Sequence, residues 1–234
     1  MADGLFSRTG IVLGEAGLHR LARAHVAIFG VGGVGSWCAE ALVRTGLGSI
    51  TLVDGDTVVA SNVNRQAMAM PGTVGQVKVA AMRERLLAIN PALKVEAIHA
   101  RFNEESARSF DFAAFDAVVD AIDAVDDKAL LIRTAAAREN LAFVSSMGAA
   151  LRTDPTQVRL DAFSRVAGDG LAKALRRRFR LDPPARDFAS VHSLEAPQVS
   201  ERLGRGSLMP VTCAFGMALA AATVKFLLAK TPEK

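Results

Sequence analysis

Four groups of residues in the first 123 positions have the types and spacing to handle a nucleotide. The first is GVGGVGS at residues 30–36, where Gly30, Gly32, Gly33 and Gly35 carry no Cβ, so that backbone N–H groups and the start of a helix can approach a phosphate. One apolar run later, Asp54-Gly55-Asp56 places an acid where a ribose hydroxyl is held. SNVNRQ at residues 61–66 then brings Asn62, Arg65 and Gln66 together, with Lys78 a short loop further on, and Asp123 closes another apolar run. A glycine loop followed by an acid serves nicotinamide, flavin and nucleotide-sugar enzymes alike, so those two features do not separate the readings. The cations do. The pyrophosphate diester of a dinucleotide does not need so many of them near one end, whereas a triphosphate attacked at phosphorus does.

These groups need strands and helices to hold them. Val26-Ala27-Ile28-Phe29 is a short apolar run bounded by glycine, the pattern of a parallel strand buried on both faces. A helix over residues 36–45 follows, burying Trp37, Ala41 and Leu42 and stopped by Gly46 and Gly48; residues 50–53 are the second strand. Residues 73–90 keep helical spacing through Val77, Ala81, Leu86 and Leu87 and stop at Asn90-Pro91. Residues 94–98 alternate as a strand, 103–112 read as a polar helical connection, 117–121 as a buried strand, 126–140 as a helix and 142–145 as extended. This order predicts an α/β fold, a Rossmann-like doubly wound, mainly parallel sheet with its ligand at the carboxyl ends of the strands. The glycine loop, Asp54 and Asp123 all fall at such ends.

The remainder is read around that core. With 234 residues, half of them hydrophobic, the chain is expected to form a single domain, residues 5–150 being the nucleotide-binding core and 151–234 a substrate-binding and dimer-contact extension. Residues 4–24 read as an amphipathic entry helix with Leu5, Ile11, Val12, Leu13, Leu18 and Leu21 on its apolar side, and residues 156–163 as a strand. Residues 172–186 carry Lys173, Arg176, Arg177, Arg178, Arg180 and Arg186 against Asp182 alone, concentrating the mild net charge of +4 in one place. Residues 183–206 have the composition of a mobile loop, with His192, Glu195 and the SERLGRGS run as possible lining. The final apolar stretch, 211–229, is interrupted by Lys225 and rich in alanine, and is read as a buried helix, not a membrane span of about 20 apolar residues. Two distant cysteines, Cys38 and Cys213, exclude a disulfide framework and a four-cysteine zinc site within one chain, and no secretory signal pattern opens the sequence, so the cytoplasm is the expected location. Cys38 is read as packing; Cys213 is open between packing and sulfur transfer.

GVGGVGS, DGD with SNVNRQ, Lys78 in GQVKVAAM and DAIDAVDDK together resemble the adenylation core of the ubiquitin-activating-enzyme-like superfamily, which includes the molybdopterin- and thiamin-biosynthesis adenylyltransferases. The resemblance implies that ATP is bound: the glycine loop and Ser36 take the phosphates, Asp54 the ribose with Asp56 beside it, and Asn62, Arg65, Gln66 and Lys78 the polyphosphate, while Asp123 faces Mg2+ and the triphosphate. An N-terminal arginine of that superfamily reaches into the partner subunit's site, and Arg8 stands in the matching place, which implies a homodimer. A substrate carboxylate then attacks the α-phosphate and an acyl-adenylate forms, with Arg8, Arg65, Lys78 and Asp123 as the catalytic set.

Members that activate ubiquitin-like proteins commonly carry paired CxxC motifs for zinc, and many a cysteine on a crossing loop; neither is present here. FSRTGIVLGE, FVSSMGAA and VTCAFGMALAAATVKFLL instead resemble the tRNA threonylcarbamoyladenosine dehydratase subfamily. This implies ATP-dependent cyclisation of N6-threonylcarbamoyladenosine in tRNA, with the basic cluster (Lys173, Arg176, Arg177, Arg178, Arg180, Arg186) on the anticodon stem-loop and, as further expectations, a monovalent cation and a sulfur-acceptor partner protein. The carbamoyl group is already in the substrate, so effective concentration replaces a catalytic cysteine. Two alternatives stay open on the residues alone: activation of a sulfur-carrier protein's C-terminus, and a nicotinamide-binding oxidoreductase.

Overall fold

The computed structural model describes residues 4–198 and 206–229. Its centre is β1 (His25–Phe29), whose alternate side chains serve two cores. Val26 and Ile28 face one side of the sheet with α2, α3 and α6; Ala27 and Phe29 face the other with α4 and α5. The elements named are α1 (Ser7–Arg23), α2 (Gly35–Thr45), β2 (Ser49–Val53), α3 (Lys78–Ile89), β3 (Lys94–Ile98), β4 (Ala117–Asp120), α4 (Val125–Ala136), β5 (Ala142–Ser146), β6 (Val158–Ala162), α5 (Gly170–Arg178), β7 (Ala189–Ser193) and α6 (Met209–Ala229).

The sheet runs β3-β2-β1-β4-β5-β7-β6. All neighbours pair in parallel except β6 with β7. After β3 the chain crosses from one side of β1 to the other, so the order reverses between β1 and β4 and opens a crevice at their carboxyl ends, where open α/β sheets bind ligands. The expected Rossmann-like architecture with a final apolar helix is what the chain adopts, and strands from both sides of residue 150 share the one sheet. The last helix, α6, packs across α2 and beside β5, burying Val211, Phe215, Leu219 and Leu227. It alone among the described residues is long and apolar enough to cross a membrane, and half of its most apolar window is buried in this core.

Several elements differ from expectation for local reasons. α3 begins at Lys78, not near residue 73, because Gly75 sits at φ +90° and Val77 bridges Thr57, both incompatible with helix. Residues 103–112 form only short 3₁₀ turns, Ala107–Ser109 with Phe112–Ala114 just beyond, which pack Phe102, Phe110 and Phe112 around Phe29. In α2, Leu42 is buried as expected, whereas Trp37 and Ala41 are half-buried and Cys38, Ala39 and Val43 take the core positions. The segment read as a mobile loop, 183–206, contains β7: Ser190, His192 and Ser193 are buried polar residues, so the strand has no apolar signature. Within SERLGRGS, residues 200–205 lie outside the described residues.

Candidate active site

The glycine loop leaves β1 through Gly30 at φ +89°, where a Cβ would stand 2.6 Å from the Ala121 carbonyl oxygen; at Gly35 a Cβ would overlap the Gly30 carbonyl at 1.9 Å. Both positions therefore require glycine. Asp54, at the end of β2, secures the turn: Oδ2 accepts the Val31 N–H at 2.7 Å and Oδ1 the Asp56 N–H at 2.9 Å. The segment 61–66 is tied to α2 from two sides, Trp37 Nε1 donating to the Arg65 carbonyl at 2.8 Å and the Ala67 N–H to Ser36 Oγ at 3.1 Å. That places the Arg65 side chain against Gly33 and buries Asn62 and Gln66, with Gln66 Oε1 left without a partner among the described residues.

Gly30, Gly32, Gly33, Asp54, Asp56, Asn62, Arg65, Gln66, Lys78 and Asp123 line one cleft of about 700 Å³ at the carboxyl ends of the strands. Two expected phosphate contacts are corrected. Ser36 is fully buried behind the loop and its hydroxyl holds Ala67, and Gly35 is buried where it packs on Gly30; neither lines the cleft. Lys78 opens α3 with most of its side chain buried, its Nζ donating to Asp56 Oδ2 at 2.8 Å, and Arg101 reaches Asp56 Oδ1 at 3.3 Å. The Lys78 hydrogen bond, against the opposing effect of partial burial and helped by the charges of Lys78 and Arg101, holds the Asp56 carboxyl below its ordinary value. Two cations thus stand at one end of the cleft around a single carboxylate.

Four charged lining residues were not anticipated: Arg101, Asp127, Arg152 and Asp169. Behind the wall, Lys128 and Asp120 form a fully buried pair at 2.8 Å; Asp120 also accepts from the Ile122 N–H and Ser145 Oγ, and Lys128 donates to the Ile122 carbonyl. This fixes the backbone leading from β4 to Asp123. Asp169 caps α5, accepting the Ala172 N–H at 2.9 Å, and also accepts from the Gly148 N–H and Arg152. A capping aspartate ahead of the buried Ala172, Leu175 and Phe179 is legible in sequence as a helix start; Arg152 has no such signal around it.

The basic cluster divides. Lys173, Arg177 and Arg180 are exposed with no partner among the described residues. Arg178 pairs with the exposed Asp126 at 2.6 Å. Arg176 stacks over Phe163 and donates to the Phe163 and Val166 carbonyls. Arg186 donates to the carbonyls of Arg138, Glu139 and Leu141 beneath the amino end of β5, on the far side of the sheet from the cleft. The expectation of one contiguous basic patch is therefore corrected: Arg186 stands elsewhere, and Arg176 is occupied. Arg8 is exposed on α1, and Phe6 beside it closes over Gly46 at the amino end of the sheet, so Arg8 does not line its own chain's cleft. Cys213 is half-buried; burial and then the Glu40 charge raise its thiol pKa, the wrong direction for a thiolate nucleophile. His192 is buried against Asp161, and Glu195 is engaged by the Thr153 and Asp154 backbone.

A Rossmann-like switch point with an acid at the end of β2, a glycine loop and cations gathered at one end defines an α/β protein of the nucleotide-binding class. The chain belongs to the ThiF family, whose pattern matches residues 6–234. It is 41% identical over 194 residues to the tRNA threonylcarbamoyladenosine dehydratase of Bacillus subtilis, covering 83% of this chain and 76% of that one. The Haemophilus influenzae protein of the same name is 37% identical over 211 residues, 86% and 80% of the two chains. The crystal structure of the E. coli tRNA N6-threonylcarbamoyladenosine dehydratase in complex with ATP superposes with a TM-score of 0.90 at 35% identity, covering 96% of this chain and 93% of that one. A nicotinamide-binding oxidoreductase is set aside by this membership.

Proposed function

We propose that this chain is an ATP-dependent tRNA threonylcarbamoyladenosine dehydratase. The observation that carries the reading is that α5, which presents Lys173 and Arg177 with Arg180 just beyond its end, starts at Asp169 in the wall of the same cleft as the glycine loop, Arg65 and Lys78. A helix of 9 residues, about 13 Å long, thus leads from the nucleotide toward a surface able to neutralise tRNA phosphates.

The chemistry follows from charge. The substrate's threonyl carboxylate attacks the α-phosphate, pyrophosphate leaves, and the acyl-adenylate is opened by the substrate's own carbamoyl group with release of AMP. The net change is ATP to AMP and pyrophosphate with loss of one water from the nucleoside. Negative charge builds on phosphoryl oxygens in the first step, where Lys78 and Arg65 are held in advance. Asp123 and Asp127, both lining the cleft, suit an Mg2+ that arrives with ATP, since such ions take one or two carboxylates and complete their shell with phosphate and water. When bound, that ion supplies further stabilisation of the triphosphate's charge. No group of three or more His, Cys, Asp or Glu able to hold a metal by itself occurs among the described residues.

The homodimer reading is supported by α1 and the turn before it, which expose Leu5, Ile11 and Val12 around Arg8. Mixed dimers of Arg8→Ala and Lys78→Met are expected to regain activity that neither variant has alone; no regain would place Arg8 outside the partner's site. For the function itself, incubation with ATP and tRNA bearing the threonylcarbamoyl group is expected to release AMP and lower the nucleoside mass by one water. An unchanged nucleoside mass overturns the reading. AMP release that instead requires a carrier protein with a Gly-Gly tail favours sulfur-carrier activation.

A further inference from the structure

Arg152 is buried in the wall of the cleft, its side chain 1% exposed, yet its guanidinium is mostly unspent. Nη2 donates to Asp169 Oδ2 at 2.9 Å, while Nε and Nη1 have no hydrogen-bond partner among the described residues. A guanidinium has five N–H donors, and buried donors in native proteins are normally satisfied. Glu195, the other nearby acid, already accepts from the Thr153 N–H and hydroxyl and the Asp154 N–H. Asp169 is likewise committed to Gly148 and to the start of α5.

Position narrows what the free donors await. Arg152 follows β5, whose strand lies two places, about 10 Å, from β1 in the sheet, and it lines the same cleft as the glycine loop. Asp54 and Asp56 lie on the opposite flank, at the end of β2. Arg152 therefore stands across the phosphate site from the ribose acid and next to Gly170 and Leu171, the first residues of the basic helix, which line the same cleft.

We propose that Arg152 receives the carboxylate of the substrate, its free Nε and Nη1 donors aligning that carboxylate for attack on the α-phosphate. This rests on the dehydratase reading and names the group by which the site selects a carboxylate. Asp169 is the matching positioning residue: it orients the guanidinium and, as cap of α5, holds the tRNA-facing helix in register with it.

The test compares tRNA carrying the threonylcarbamoyl group as the free acid with the same tRNA carrying its methyl ester, in binding to the full-length protein. The wild type is expected to prefer the acid about 10- to 100-fold, as for a charge-assisted interaction in a buried site. Arg152→Gln is expected to bind acid and ester equally, with ATP affinity and affinity for unmodified tRNA unchanged. Arg152→Lys keeps the charge and removes Nε and Nη1; if Arg152→Gln does not fold, this variant carries the test and is expected to lose most of the preference. A folded variant that keeps the wild-type acid-over-ester preference overturns the proposal while leaving the dehydratase intact. A folded variant that loses ATP binding makes Arg152 a phosphate ligand and also overturns it. A wild type that neither releases AMP with modified tRNA nor distinguishes acid from ester overturns the function and the carboxylate site together.

Discussion

Lys78→Met separates the catalytic from the structural contribution of a largely buried cation in the cleft. The side chain is 8% exposed, so most of its aliphatic stem is packed, and methionine keeps an unbranched stem of similar reach while removing the ammonium. The pair it breaks is with Asp56, whose side chain is 48% exposed and keeps Arg101 at 3.3 Å. A pair with one partner that wet contributes about 0–1 kcal/mol, or roughly 0–4 °C in Tm for a chain of this size. The catalytic loss is of another order. If Nζ meets charge that develops only as pyrophosphate departs, its removal costs about 2.7–4 kcal/mol, a fall of about 10²- to 10³-fold in kcat. Thermal unfolding and AMP release with saturating ATP and modified tRNA measure the two effects on one sample. A kcat within about tenfold of wild type, with Tm barely moved, would refute the assignment of Lys78 to the departing phosphate.

Further outcomes follow from the same structure. Lys128→Met leaves Asp120 buried without its cation, and is expected to cost about 3–5 kcal/mol, roughly 6–20 °C in Tm; the double variant with Asp120→Leu should recover part of that loss, and calorimetry reads both. Lys173, Arg177 and Arg180 replaced together by Ala should reduce the slope of log Kobs against log salt for tRNA binding by about 2–3, whereas Arg186→Ala should lower Tm and leave that slope unchanged. Glu40, although burial opposes its ionisation, is held below its ordinary pKa by Arg85 and Arg44 at 2.6 and 2.8 Å. Its contribution to stability is therefore fully present above about pH 4.5 and lost as pH falls through its lower folded value; Glu40→Gln should flatten that acid limb in pH-dependent denaturant melts.

What could be read from the residues alone divides along a physical line. Strands buried on both faces, such as residues 26–29, announce themselves because every side chain must be apolar, and a loop like 30–36 because only glycine fits where a Cβ would stand 1.9 Å from a carbonyl oxygen. β7 was illegible because three of its four buried residues are the polar Ser190, His192 and Ser193, held inside by pairing with β5 and β6, strands that lie far from it in sequence. The same holds for charge. Arg177 and Arg186 look equivalent as neighbours in a basic stretch, yet one is exposed to solvent and the other binds carbonyls of the loop between α4 and β5. A cation's role depends on where its donors go, which is a property of the fold. Hence Arg152, isolated in ALRTDP, carries no local signal, and becomes a candidate ligand only because the structure buries its guanidinium and leaves two of its nitrogens unpaired in the cleft wall.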